Sequence, residues 1–374
     1  MTSRWLATLL VVALPAAATG QTEPTTSLPT TRDELERRQA TIAKAEPEEL
    51  FSINGGLLGT MQWIARNGPA TGSVFGSGSL DVNVIVRPTP TARFFVNAEA
   101  LGGPGADQSL GTLSGLDTDA LRLDGRQARF RVREAFLRLS WLDEHVRFSV
   151  GQLDVQHYFD RNFFAEDETT QFLDAALLNN PLLRPPPYGP GAAIRVSVGD
   201  WRFACAVDAP DDITGDLSGL PYIIGELGRR DILPLRGHYR WWARVTSVPE
   251  DRRRTTWASG LSIDQLITPE LGVFFRAGLS RSDGEDLTSR ALSAGVQATP
   301  SWLGRANDKA GIGYSIQREP PGEEQLVEAY YTVALANWVF VSANVQWVVS
   351  GPNQVTGGTN RHVVVPALRA LLLF

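Results

Sequence analysis

The feature that most restricts the fold is alternation. From about Phe51 to the last residue, segment after segment carries apolar side chains at every second position. In LDVNVIVR, Leu80, Val82, Val84 and Val86 share one face, with Asp81, Asn83 and Arg87 on the other. Trp201, Phe203, Cys205 and Val207 oppose Arg202 and Asp208; Tyr239, Trp241, Ala243 and Val245 oppose Arg240, Trp242 and Arg244. Val339, Val341, Ala343, Val345 and Trp347 oppose Ser342, Asn344 and Gln346. Successive side chains of a strand point to opposite faces, so a repeat of two predicts an all-β chain.

Segment length decides which kind of β protein. Strands of soluble sandwiches and solenoids run to about 5–6 residues, whereas a tilted membrane strand needs about 9–11. Many segments here reach ten, and aromatics cluster near their ends: Trp63, Trp141, Trp201, Trp257, Trp302, Trp338 and Trp347. Aromatic girdles at both interfaces are a property of outer-membrane barrels. Short turns (142–144, 199–200, 337–338) alternate with long connections (102–122, 154–188, 209–235), as periplasmic turns and external loops do. The expected fold is a transmembrane antiparallel β-barrel over residues 51–374. About fifteen segments are visible and closed barrels have even counts. A sixteenth strand is therefore expected near 102–128 or 228–238, with fourteen or eighteen as alternatives.

The opening residues, MTSRWLATLLVVALPAAATGQ, combine Arg4, an apolar run from Trp5 to Pro15, and small residues at Ala16, Ala18 and Gly20. That is the layout of a cleaved export signal over 1–20. Residues 21–50 read as a periplasmic linker followed by a short polar helix, with Thr31 and Glu34 in capping-box positions. No later run reaches the ~20 apolar residues of a membrane helix. At the other end, Val364, Pro366, Leu368, Ala370, Leu372 and Phe374 share one face and Arg369 lies opposite. A terminal aromatic on such a strand is expected to be the assembly signal read by the barrel-assembly machinery.

Several chemistries lack support. The net charge is −6 and no Lys/Arg block marks a nucleic-acid footprint. One cysteine, Cys205, rules out an internal disulfide. Nucleotide-cradling glycine motifs and HExxH are absent, so no cofactor, metal or catalytic residue is assigned; a triad assembled across strands is the enzymatic alternative. Two features are candidates for a channel. The stretch FDRNFFAEDETTQFLDAALLNNP (159–181) holds Glu166, Asp167 and Glu168 ahead of Phe172/Ala176 and Leu173/Leu177 pairs, which predicts acids at a helix start. Asp160, Arg161 and Asn162 just before them are expected to reach the channel. The second feature is arginine at alternate positions. Arg129, Arg131 and Arg133 must share one side of a strand, and facing lipid each would cost roughly 2–4 kcal/mol at mid-bilayer. They therefore face the lumen or lie beyond the membrane, and Glu134, Arg138, Arg147, Arg240, Trp242 and Arg276 are expected to line the channel with Arg131 and Arg133. Mixed charge with aromatics suits neutral polar solutes; an anion-preferring or general porin, and a plugged barrel that tethers a partner, are the alternatives.

Three segments resemble the carbohydrate-selective porin family of bacterial outer membranes: GQLDVQHYFDRNFFAEDETTQFLDAALLNNP, GRANDKAGIGYS (304–315), and EEQLVEAYYTVALANWVFVSANVQWVVSGPN with the closing LRALLLF. The resemblance implies a sixteen-strand pore surrounded by outer-membrane lipid. Sugars or other small polar solutes would diffuse passively through a constriction narrowed by inward-folded loops, in a homotrimer or a monomer.

Overall fold

The computed structural model describes residues 50–121, 129–186, 188–209, 220–248, 251–284, 288–319 and 322–374. The export signal and the linker with its short helix lie outside the described residues. Sixteen strands make one closed sheet. The first eight are β1 (Phe51–Trp63), β2 (Val74–Thr89), β3 (Ala92–Gly102), β4 (Arg129–Trp141), β5 (Val146–Gln152), β6 (Pro190–Val198), β7 (Trp201–Asp208) and β8 (Tyr222–Arg230). The second eight are β9 (Gly237–Val248), β10 (Asp251–Leu266), β11 (Leu271–Ser282), β12 (Ser289–Ala298), β13 (Lys309–Glu319), β14 (Gly322–Ala336), β15 (Val339–Asn353) and β16 (Gly358–Leu373). Each strand pairs antiparallel with the next, and β1 meets β16 in a register running from Gly56↔Leu373 to Gln62↔Ala367. Closure leaves no unpaired strand edge. The last residue completes it: Phe374 and Gly55 exchange backbone hydrogen bonds of 3.0 and 2.8 Å. Gly55 is needed there, because a Cβ would run into the Asp81 backbone carbonyl of β2 and stand 2.7 Å from the Phe374 ring.

The alternating faces sort as expected. Leu57, Leu80, Phe94, Trp201, Trp241, Leu279, Val345 and Leu368 are exposed on the outside, while Arg276, Glu328, Asn344, Gln346 and Arg369 are buried inside. Both described chain ends of the barrel and the turns at 90–91, 142–145, 199–200 and 337–338 lie at one end, the periplasmic one; the long connections between β3 and β4 and between β5 and β6 lie at the external end, together with short ones such as that between β15 and β16. The sixteenth strand is β8, which reaches into the second expected window. The connection at 209–235 is therefore not one long loop. The strand is hard to read because Gly225 interrupts its lipid face, while Tyr222 and Ile224 are apolar residues buried on its inner face.

The main apolar core sits inside the barrel. Residues 103–121 and 153–189 fold inward and pack on each other, with Ala175 N–H donating to the Gly115 carbonyl at 3.0 Å. Leu110, Leu116, Phe164, Phe172, Leu177 and Leu178 from these segments pack on Phe274, Leu326 and Tyr330 of the wall. The Phe172 ring meets Phe274 and Tyr330 edge-on at 5.5 and 4.9 Å. The wall approaches closely here: a Cβ at Gly313 would lie 2.9 Å from Leu177.

Candidate functional site

The segment 153–189 is fixed at a few points, and Asp160 is the firmest. It adopts a positive φ of 56°, a conformation Asp tolerates better than most residues. Its carboxylate accepts from the Trp242 indole N–H (2.8 Å), the Arg276 Nε (2.8 Å) and the Asn180 backbone N–H (2.9 Å). Arg276 also donates to the Leu177 carbonyl at 2.9 Å. Asn162 donates to the Ile263 carbonyl at 3.0 Å. All four of these residues are buried, Asp160 and Arg276 at 1% exposure. Asp160, Asn162, Trp242 and Arg276, expected to line the channel, are thus placed where the inward loop meets the wall, and their polar atoms are engaged in fastening the two together.

The wall contributes carboxylates for the same purpose. Glu328 on β14 accepts from the backbone N–H groups of Leu173 (2.8 Å) and Asp174 (2.9 Å), and Glu324 from those of Leu113 and Ser114 (both 2.9 Å). Glu226 accepts from the Asp160 N–H at 2.9 Å. Arg369 supplies the complement, donating to the Gln171 carbonyl at 2.6 Å. Loop backbone that enters a barrel must find such partners or leave buried groups unpaired. The grip on Leu173 and Asp174 also explains why the helix is shorter than the i, i+4 pairs predict. It comprises only Ala175–Leu178, capped by Asp174 through the N–H groups of Ala176 and Leu177. The three acids therefore do not start a helix. Asp167 instead closes a turn, accepting from the Thr169 N–H at 2.9 Å, and Glu166 pairs with Arg161 at 3.1 Å.

What the loops leave open is a cavity of about 360 Å³ in the lumen. Arg133, Arg138, Arg147, Arg161 and Arg195 line it, and so do Asp81, Glu134, Glu166, Asp167 and Glu168. Five arginines and five carboxylates share one chamber, some of them paired, as Arg161 is with Glu166 and Arg133 with Asp81 at 3.9 Å. Arg138, Arg147 and Arg195 stand on β4, β5 and β6, while the 166–168 turn is held against β16 through Arg369, which donates to the Glu168 carbonyl. Arg147 lies directly opposite Arg195, and Arg93 directly opposite Arg138. Like charges across a strand pair destabilise a sheet. The Nε atoms of Arg147 and Arg195 have no protein partner. Tyr158 projects from the loop between the two, its hydroxyl accepting from Arg138 at 3.3 Å and its carbonyl from Arg195 at 3.3 Å.

Arg133 and Glu134 are neighbours in sequence, yet both face the lumen. A bulge makes this possible: Asn97 pairs with Glu134 and Ala98 with Val132, leaving Arg133 as the extra residue. Around it, Arg133 donates to Asp154 at 3.0 Å, and the His157 ring contacts Glu134 at 3.1 Å. Burial opposes protonation of His157, but the carboxylates of Asp154 and Glu134 outweigh it and raise its pKa from 6.5 to about 9. The ring is still open to the lumen, with its side chain 42% exposed.

Of the remaining expected residues, Arg131 lies nearer the external mouth, 2.7 Å from Glu99 and with its guanidinium 4.6 Å above the Tyr188 ring. Arg240 is buried in the periplasmic half, paired with Asp264 at 2.8 Å. Sequence reasoning missed Tyr158, His157, Asn83 and Asn97 as lining residues. The asparagines sit at alternate, lumen-facing positions and were available to the same parity argument; the loop residues gave no such signal.

A closed barrel of this size with an apolar exterior and a charged, loop-narrowed lumen is an outer-membrane porin. Its fold is similar to that of Pseudomonas putida OprB at high pH, with a TM-score of 0.71, 12% identity, and 87% of this chain and 94% of that one covered. It is also similar to the outer-membrane channel DcaP of Acinetobacter baumannii (TM-score 0.55, 12% identity, 87% and 97% covered). A model of the carbohydrate-selective porins, OprB family, matches residues 71–370, and the chain belongs to that family. An uncharacterized protein of Aquifex aeolicus is 25% identical over 202 residues, which is 53% of this chain and 58% of that protein; the chain thus spans little more than half the length of this relative.

Proposed function

We propose that the chain is a passive channel for sugars and other small uncharged polar solutes. The observation that carries this is the balance of the chamber: five arginines and five carboxylates line it, with Arg161 beside Glu166 and Arg133 beside Asp81, so donors and acceptors are interleaved. A sugar hydroxyl donates and accepts. Arginine offers five N–H donors and no acceptor, and carboxylates only accept, so the hydroxyls of a sugar ring find both kinds of partner within the chamber. The Tyr158 and Phe136 rings supply apolar surface for the ring face. An excess of arginine would favour anions; here only His157 tips the balance. Contacts of this kind stay weak, as flux requires. The proposal includes no bond-making step, and the chamber is complete within one chain, so a monomer suffices for transport. Phe374 closes the sheet with Gly55 and is proposed to be the assembly signal.

The test is single-channel conductance in planar bilayers with sugar added to one side. Concentration-dependent block by neutral sugar, with weak preference between potassium and chloride, supports the reading. Strong chloride preference with no block by sugar overturns it.

A further inference from the structure

The lipid-facing surface carries a groove of about 640 Å³ that crosses β9 to β13 and reaches Glu323 at the start of β14. It begins at the external rim, beside Arg290, the second residue of β12, and Arg318, the next-to-last residue of β13. From there it passes Leu279 and Leu292 and descends to Leu261 in the middle of β10 and to Trp241 on β9. Four strand spacings of about 4.8 Å give it a length on the order of 20 Å. The walls are apolar and face the membrane. The upper end is not apolar. Arg290 and Arg318 are directly opposite one another on neighbouring strands, and Arg281 lies diagonally beyond Arg290, which is in register with Leu279. Their side chains make no ion pair or hydrogen bond among the described residues. Glu323 is in register with Arg318 but accepts from Gln325 instead, at 3.2 Å.

Like charges placed directly opposite weaken a sheet, and an unpaired guanidinium at the membrane rim favours an anion. Arginine binds phosphate through its planar fork more strongly than through a point charge. The combination of a rim of cations and an apolar groove running down from it into the membrane fits an amphiphile with a phosphorylated head and a long acyl chain. The rim lies at the external end, so the lipid must come from the outer leaflet. We propose that this groove binds a phosphorylated, acylated glycolipid of the outer leaflet. Its phosphate sits among Arg281, Arg290 and Arg318, a sugar hydroxyl donates to Glu323, and one acyl chain lies along Leu279, Leu292, Leu261 and Trp241.

Native mass spectrometry of the full chain in detergent tests this. The probes are a synthetic diphosphorylated, acylated glucosamine disaccharide, the same lipid without phosphate, and phosphatidylglycerol. The proposal expects a one-to-one adduct with the phosphorylated glycolipid, at least tenfold weaker retention of the other two, and at least tenfold weaker binding by R290Q/R318Q. A second variant, Leu292→Trp, which fills the groove and leaves the arginines in place, is expected to weaken binding to a similar degree. Both variants should keep the parent's conductance, which shows that the barrel is intact. Equal retention by the variants, or equal binding of phosphatidylglycerol, overturns the proposal. So does an oligomer of the parent that R290Q/R318Q dissociates, since the groove would then be a contact between copies of the chain.

Discussion

Replacing Asp160 separates the two roles a buried polar residue inside a channel can have. In Asp160→Ala, Arg276 loses its carboxylate partner at 2.8 Å while remaining 1% exposed, and the N–H groups of Trp242 and Asn180 lose their acceptor. Breaking a buried pair costs about 3–5 kcal/mol, most of it the uncompensated charge left behind. Since each 1.4 kcal/mol is a factor of ten, the population of the seated loop relative to unseated forms falls by roughly two to three and a half powers of ten. Arg276 and Trp242 belong to β11 and β9, but release of the loop opens both to lumen water, so the loss is expected in loop seating and not in the strand ladder. Asn at this position tolerates the positive φ and keeps one acceptor, so Asp160→Asn is expected to lose less, about 1.5–3 kcal/mol. Single-channel recording should therefore show normal insertion, higher and noisier conductance in Asp160→Ala, and an intermediate trace in Asp160→Asn. Amide exchange should accelerate across 159–183 and stay unchanged in β10 and β11. A variant with the parent's conductance and noise, but with weaker sugar block, would show that Asp160 touches solute and refute the anchoring argument.

Other outcomes follow from the same geometry. Arg138→Ala and Arg147→Ala should insert normally and weaken sugar block severalfold, because each removes donors from one side of the chamber; unchanged block would place the constriction elsewhere. Arg131→Ala, at the external mouth, should alter conductance less than either. Deleting Phe374 removes the backbone bonds to Gly55 and should cut outer-membrane yield, and a normal yield would contradict its role. His157 has a pKa raised to about 9 by Asp154 and Glu134, above its unpaired value. Its contribution to holding the loop is therefore complete below about pH 6.5 and is lost as pH climbs through about 9. Conductance noise should rise between pH 8 and 10 in the parent, and His157→Gln should abolish that dependence.

Much of the fold is legible in the alternation because a barrel imposes one solvent on each face. The parity of Leu80, Trp201, Tyr239 and Leu368 assigns the lipid side directly, and the lumen residues follow by elimination. Parity fails at the bulge, where Arg133 and Glu134 both face inward, and at β8, where Gly225 breaks the apolar face. It also has nothing to say about what fills the lumen. Phe172, Leu173 and Leu177 have helical spacing, yet only the last of them lies in the helix. Their apolar character comes from packing inside the barrel, and Glu328 holds the preceding backbone extended. A lumen-facing Trp242 or Arg276 looks the same in sequence whether water or a folded loop lies against it. Lining residues and loop anchors separate only once the path of 153–189 is known.

The central claim is that the chamber between the arginine strands and the 166–168 turn is the route for neutral sugars. Liposome swelling measures this directly. Vesicles containing the purified chain should swell in isosmotic monosaccharide, more slowly in larger oligosaccharides. Glu166→Arg combined with Glu168→Arg should shift uptake toward anionic solutes and away from neutral sugar. Equal swelling of parent and variant vesicles in neutral sugar, or no swelling of either, would contradict the account.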